Sequence, residues 1–122
     1  NLKRLCKMAR AWKKKNNVDI CGILIDVLSY NFISSWEYKD KSFLYYDWMS
    51  RDFFKYLSDE PMHQTRWKVM GSNRYIIWYG FFQNKAREAY DNAKKAIDFA
   101  TERPIVANNI WREIYGSKFP KL

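Results

Sequence analysis

Between Leu2 and Lys15 the chain reads LKRLCKMARAWKKK. At about 100° per residue, Leu2, Leu5, Met8, Ala9 and Trp12 fall on one side of a helix, and Lys3, Lys7, Arg10 and Lys14 on the other. An amphipathic helix with a cationic outer face is predicted. After the polar KNNVD, residues Ile20 to Ile33 (ICGILIDVLSYNFI) are apolar nearly all round, as in a helix with neighbours on several sides, and Asp19 is the expected N-cap. Beyond SSWEYKDK, Ser42 is expected to cap a third helix through SFLYYDWMSRDFFKYLSDE. Phe43, Tyr46 or Asp47, Met49 or Ser50, Phe53, Phe54 and Leu57 recur there at mixed spacings of three and four, and Pro61 ends it.

Residues 62 to 80 contain Gly71, Gly80 and the run RYIIWY, which reads equally as a short strand or as an extended loop lying on a bundle. From Phe81 to Thr101 the alanines Ala86, Ala89, Ala93, Ala96 and Ala100 mark one face of a long helix that can approach a neighbour closely. Pro104 suits the first turn of a final helix ending before Gly116. The fold class is therefore all-α: a four- to five-helix bundle forming one helical domain over residues 1–122, with at most a short hairpin near 66–80.

Length and composition fit that picture. A chain of 122 residues can bury roughly two thirds of its unfolded surface in a single core. Its nine Tyr, eight Phe and six Trp supply large packing side chains, which argues against disorder. Charge changes the picture more. Of 22 cations, seven lie within the first fifteen residues, where there is no carboxylate; the rest of the chain is nearly balanced. So local a stripe reads as a groove that receives phosphate, or as a solvated face left by amphipathicity.

Cys6 and Cys21 are the two cysteines and His63 the one histidine, too few for a disulfide framework or a zinc site with the usual ligands. Reduced thiols fit a cytoplasmic protein. The apolar run Ile20 to Ile25 stops at Asp26, far short of a membrane span, and the opening helix does not resemble a signal peptide. That helix begins almost at the first residue, as expected of a fragment of a longer protein.

Motifs for independent catalysis are missing: the sequence contains no GxGxxG, Walker loop, HExxH or nucleophile elbow. Gly71-Ser72 is not followed by an Asp-x-Asp pair and reads as a tight turn. Asp26, flanked by Ile25 and Val27, must find a cation or several donors. It is either a structural anchor paired with an Arg or Lys, or a ligand-binding group in a polar pocket. Asp47 and Arg51 are spaced to pair along their helix. Tyr45, Tyr46 and Trp48 could form a stacking surface for bases, but at helical spacing they read first as packing. His63 has no assigned role.

LKRLCKMARAWKKK, CGILIDVLSYNF, FLYYDWMSRDFFKYL, GSN, FFQNKAREAYDNAKKAIDFA and WREIYGSKFP, taken in order, resemble the C-terminal helical half of bacterial SMODS nucleotidyltransferases. These belong to the cGAS/DncV-like (CD-NTase) family, relatives of the oligoadenylate synthases. The resemblance implies a helical lobe that walls one side of a nucleotide cleft. The family's Gly-Ser motif, metal-binding acids and Mg²⁺ would belong to a missing N-terminal catalytic lobe.

It also implies roles for individual side chains. Lys7, Arg10 and Lys14 would lie along nucleoside triphosphate, with Arg10 where oligoadenylate synthases carry a Lys on the donor triphosphate. Cys21, Gly22 and Asp26 would lie near the nucleobase, with Asp26 at a position that more often looks structural. Catalytic and metal-binding residues, and any cofactor of this chain itself, are not expected. The product implied is a cyclic di- or trinucleotide second messenger in antiphage defence. Implied partners are the catalytic lobe and regulatory or effector proteins of the defence system, not a membrane. A free-standing basic module for nucleic acid or an acidic protein is the alternative.

Overall fold

The computed structural model describes residues 2–38, 46–69 and 71–117. Within them the chain forms α1 (Leu2–Asn16), α2 (Gly22–Ser35), α3 (Tyr46–Ser58), β1 (Arg66–Lys68), β2 (Tyr75–Ile77), α4 (Gln83–Phe99) and α5 (Pro104–Tyr115). This is an all-α bundle with one short hairpin. The helices pack in a circuit: α1 on α2, α2 on α3, α3 on α4, α4 on α5, and α5 back on α1.

Periodicity explains the packing. In α1, Leu5, Ala9 and Trp12 are buried while Lys3, Lys7, Arg10 and Lys14 are exposed, so the helix turns its apolar stripe inward. Trp12 reaches Phe54 of α3 with ring centroids 5.0 Å apart, and Phe54 meets Tyr115 of α5 at 5.9 Å. Those three rings tie α1, α3 and α5 together across the interior. Asn16 locks the end of α1 by donating through Nδ2 to the carbonyls of Trp12 (3.1 Å) and Ile114 (2.8 Å). Asn17 then takes the left-handed conformation that ends many helices.

Buried residues of α2 include Leu24, Ile25, Val27, Leu28, Ser29 and Phe32, in keeping with its nearly all-apolar sequence. On α4 the buried face is Ala86, Ala89, Ala93 and Ala96, small enough for close contact with α3 and α5. Ala100 lies past the helix end and is exposed. The short strands pair antiparallel, Arg66 with Ile77, Trp67 with Ile76 and Lys68 with Tyr75, and Trp67 plugs the sheet into the core.

Two expectations need correction. Asp19 does not cap α2, whose N-cap is Cys21 with no side-chain cap bond. Asp19 instead accepts the backbone N–H of Phe81 at 3.3 Å, and its carbonyl accepts the indole N–H of Trp78 at 3.0 Å. Gly80 permits this contact, since a Cβ there would sit 2.6 Å from the Asp19 carboxyl.

Arg51 does not pair with Asp47 either. Its Nε donates to Asp52 at 2.8 Å, and the same carboxylate accepts the Trp36 indole at 2.9 Å. Asp52 thereby links α3 to the end of α2. Of the two readings of RYIIWY, the structure has the short strand, over Tyr75–Ile77. The Gly-Ser turn stands, with Gly71 at φ 69° within the hairpin connection. Ser42, Phe43 and Tyr45, and with them the third-helix cap, lie outside the described residues.

Candidate functional site

The cationic face of α1 meets the start of α2, and one side chain joins them. Arg10 Nη2 donates to Asp26 Oδ2 at 2.7 Å and to the Gly22 carbonyl at 3.3 Å. The guanidinium lies flat across Gly22, where an added Cβ would stand 3.0 Å from Nη1. A side chain at 22 would press on the guanidinium and need it to give by a few tenths of an ångström. Of the two readings of Asp26, the structure brings it to a cation of the neighbouring helix.

Arg10 and Asp26 are 51% and 35% exposed, so water screens the pair and its stabilisation falls in the range of ~0.2–1 kcal/mol. Its hydrogen bond to Asp26, and then that residue's charge, raise the Arg10 pKa, which keeps the guanidinium cationic. Among the described residues, Nη2 alone is engaged. Of the five N–H donors of an arginine, the Nε proton and both Nη1 protons have no partner among the described residues.

Lys7 sits one turn before Arg10 and Lys14 one turn after it, both exposed and without an ion pair among the described residues. The first turn of α2, which Arg10 reaches, has no acidic side chain and no side-chain cap, and it carries the positive end of the helix dipole. Cys21 and Gly22, both half-buried, supply that terminus. The face can therefore hold an anion through side-chain cations, guanidinium donors and backbone N–H groups.

Cys6 lies behind Asp26. Burial first, and the nearby carboxylate second, push its thiol pKa up, which favours the protonated form. Among the described residues no group of three or more His, Cys, Asp or Glu side chains comes together. No helix among them is long and apolar enough to cross a membrane.

Two features escaped the sequence reading. One is a hollow of about 460 Å³ lined by Tyr30, Asn31, Glu60, Gln64, Trp67 and Lys68, among others; none of Lys7, Arg10 or Lys14 lines it. Burial raises the Glu60 pKa while the Trp67 indole donates to its carboxyl at 3.3 Å. The other is a run of exposed apolar side chains at Tyr75, Ile77, Tyr79 and Phe81, whose i, i+2 spacing is visible in the sequence. Tyr46 and Trp48 serve as packing and cation partners: Arg4 stands 5.2 Å over Tyr46, and Trp48 meets Tyr38 and Arg51. His63 is exposed after α3.

No family model, curated protein or solved structure matches the chain.

Proposed function

We propose that this chain is the helical wall of a nucleotide cleft in a cytoplasmic nucleotidyltransferase that joins nucleoside triphosphates into cyclic di- or trinucleotide messengers for antiphage defence. It is inactive without a second lobe carrying the catalytic acids and Mg²⁺. The supporting sequence observation is the resemblance of nearly the whole chain to that lobe of the family. The supporting geometric observation is the Arg10 fork, braced by Asp26 across Gly22 and set between two open lysines at an uncapped helix start.

In this reading Lys7, Arg10 and Lys14 take phosphate oxygens, and the backbone at Cys21 and Gly22 lies toward the base. Asp26 positions Arg10 and does not bind ligand. Without the opposing wall the face is a ridge, and triphosphate affinity is weak.

Calorimetric titration of the chain with ATP, ADP and AMP tests the reading. Affinity is expected to rise with phosphate number and to fall about tenfold or more in Lys7→Glu, the size of one charged hydrogen bond. Equal affinity for the three nucleotides, or none in wild type, overturns it. Duplex DNA binding that falls steeply with salt and outcompetes ATP would instead make the chain a basic nucleic-acid module.

A further inference from the structure

The hairpin offers an unused edge. The Trp78 N–H bonds the Thr65 carbonyl and the Val69 N–H bonds the Arg74 carbonyl, each at 2.9 Å, with Trp67 opposite Ile76 between them. In an antiparallel ladder this phase turns the backbone groups of Arg74, Ile76 and Trp78 toward β1. It turns those of Tyr75 and Ile77 away, to the outer edge of β2. The sheet has only β1 and β2, so among the described residues no strand covers that edge.

The side chains along it are apolar and open: Tyr75 is 53% exposed, Ile77 55%, Tyr79 75% and Phe81 62%. The segment YIIWYGFF, residues 75–82, has neither charge nor proline, the usual guards against edge pairing.

We propose that β2, together with Trp78 and Tyr79 that follow it, is a self-association edge, pairing antiparallel with the same segment of a second copy about a two-fold axis at Ile77. Tyr-x-Ile-x-Tyr reads the same from either end. The two-fold therefore sets Ile77 against Ile77 of the second copy and Tyr75 against Tyr79, while the outward N–H and C=O of Ile77 exchange hydrogen bonds across the axis.

Charge does not oppose the pairing. The cations on this sheet face, Arg66 and Lys68, lie on β1, and Arg66 is stacked 4.7 Å over Tyr75. In the resulting four-stranded sheet the two Arg66 residues are about 14 Å apart, three strand spacings, which exceeds the screening length of about 8 Å at physiological salt.

Area sets the strength. Four side chains that are just over half exposed or more offer roughly 400–500 Å² per copy, so the pair buries at most roughly 800–1,000 Å² and is weak and reversible. The association is independent of nucleotide binding at α1.

Sedimentation of the chain over a concentration series tests this, with cysteine cross-linking in a Cys6→Ser, Cys21→Ser background to read the register. The mass is expected to rise from 14.8 kDa toward twice that value. Ile77→Lys, which opposes like charges on the axis, is expected to raise the dissociation constant about tenfold or more while its melting curve stays that of wild type. On oxidation Ile77→Cys should form a covalent dimer and Arg74→Cys should not.

A monomer at every concentration overturns the proposal. So does Ile77→Lys self-associating as wild type does, or equal cross-linking at Arg74. Retention of single-stranded oligothymidine by the monomer, lost in Tyr79→Ala, would likewise overturn it and assign the face to nucleic acid.

Discussion

Arg10–Asp26 and Ser50–Tyr115 are both side-chain pairs that join distant parts of the chain, and their surroundings give them opposite uses. Ser50 Oγ and the Tyr115 hydroxyl lie 2.6 Å apart between α3 and α5, where both residues are buried. Burial, with Asp47 nearby, raises the tyrosine pKa far above its ordinary value, so the hydroxyl stays neutral and committed to the fold. Arg10 and Asp26 are partly open to water, and most of the guanidinium donors have no partner among the described residues. A polar pair sealed in the interior specifies packing, whereas one on an open face can exchange partners at little cost.

The largest effect should come from breaking the sealed side. Phe54→Ala removes a ring that touches both Trp12 and Tyr115 and is expected to cost about 3–5 kcal/mol in thermal unfolding. On the open side, if the chain serves in the two-lobe enzyme proposed above, Arg10→Ala should lower that enzyme's activity by the equivalent of about 1.5–3 kcal/mol, measured as kcat/KM. Its effect on unfolding should stay below about 1 kcal/mol.

Tyr115→Phe is next, at about 1–2 kcal/mol, because it strands the buried Ser50 hydroxyl; adding Ser50→Ala should recover much of that loss. Tyr115 also sets an alkaline limit. Its folded pKa lies above the unfolded value of about 10, so its contribution is complete below pH ~10 and falls away as pH rises toward the folded value. Denaturant melts above pH 10 should therefore lose stability faster in wild type than in Tyr115→Phe. The smallest change is expected for Asp26→Asn, below about 1 kcal/mol in stability, with a weaker preference for triphosphate over monophosphate as the Arg10 fork loosens.

Much of the fold was legible because helical periodicity is local. Leu5, Ala9 and Trp12 on one side of α1, the alanines of α4, and Pro104 and Gly116 around α5 each carry their message within a few residues. The errors arose where a tertiary partner outbid a local one. Asp19 sits two residues too early to cap α2 and is captured by Trp78 and Phe81, about sixty positions away. Arg51 had Asp47 at helical spacing but turns to Asp52, which the Trp36 indole also holds.

The candidate site divides in the same way. The exposure of Lys7, Arg10 and Lys14 followed from the stripe, but no sequence signal joined Arg10 to Asp26 sixteen residues on. The hairpin was ambiguous because each strand is only three residues long, too short for alternation to declare itself.

The most direct test of the α1 face is amide NMR of the labelled chain titrated with ATP and, separately, AMP. The expected result is a set of shifts at Lys7, Arg10, Lys14, Cys21 and Gly22 that is strong with ATP and faint with AMP. Shifts confined to the hairpin or to the hollow beside Glu60, or equal responses to the two nucleotides, would contradict the assignment of that face to polyphosphate.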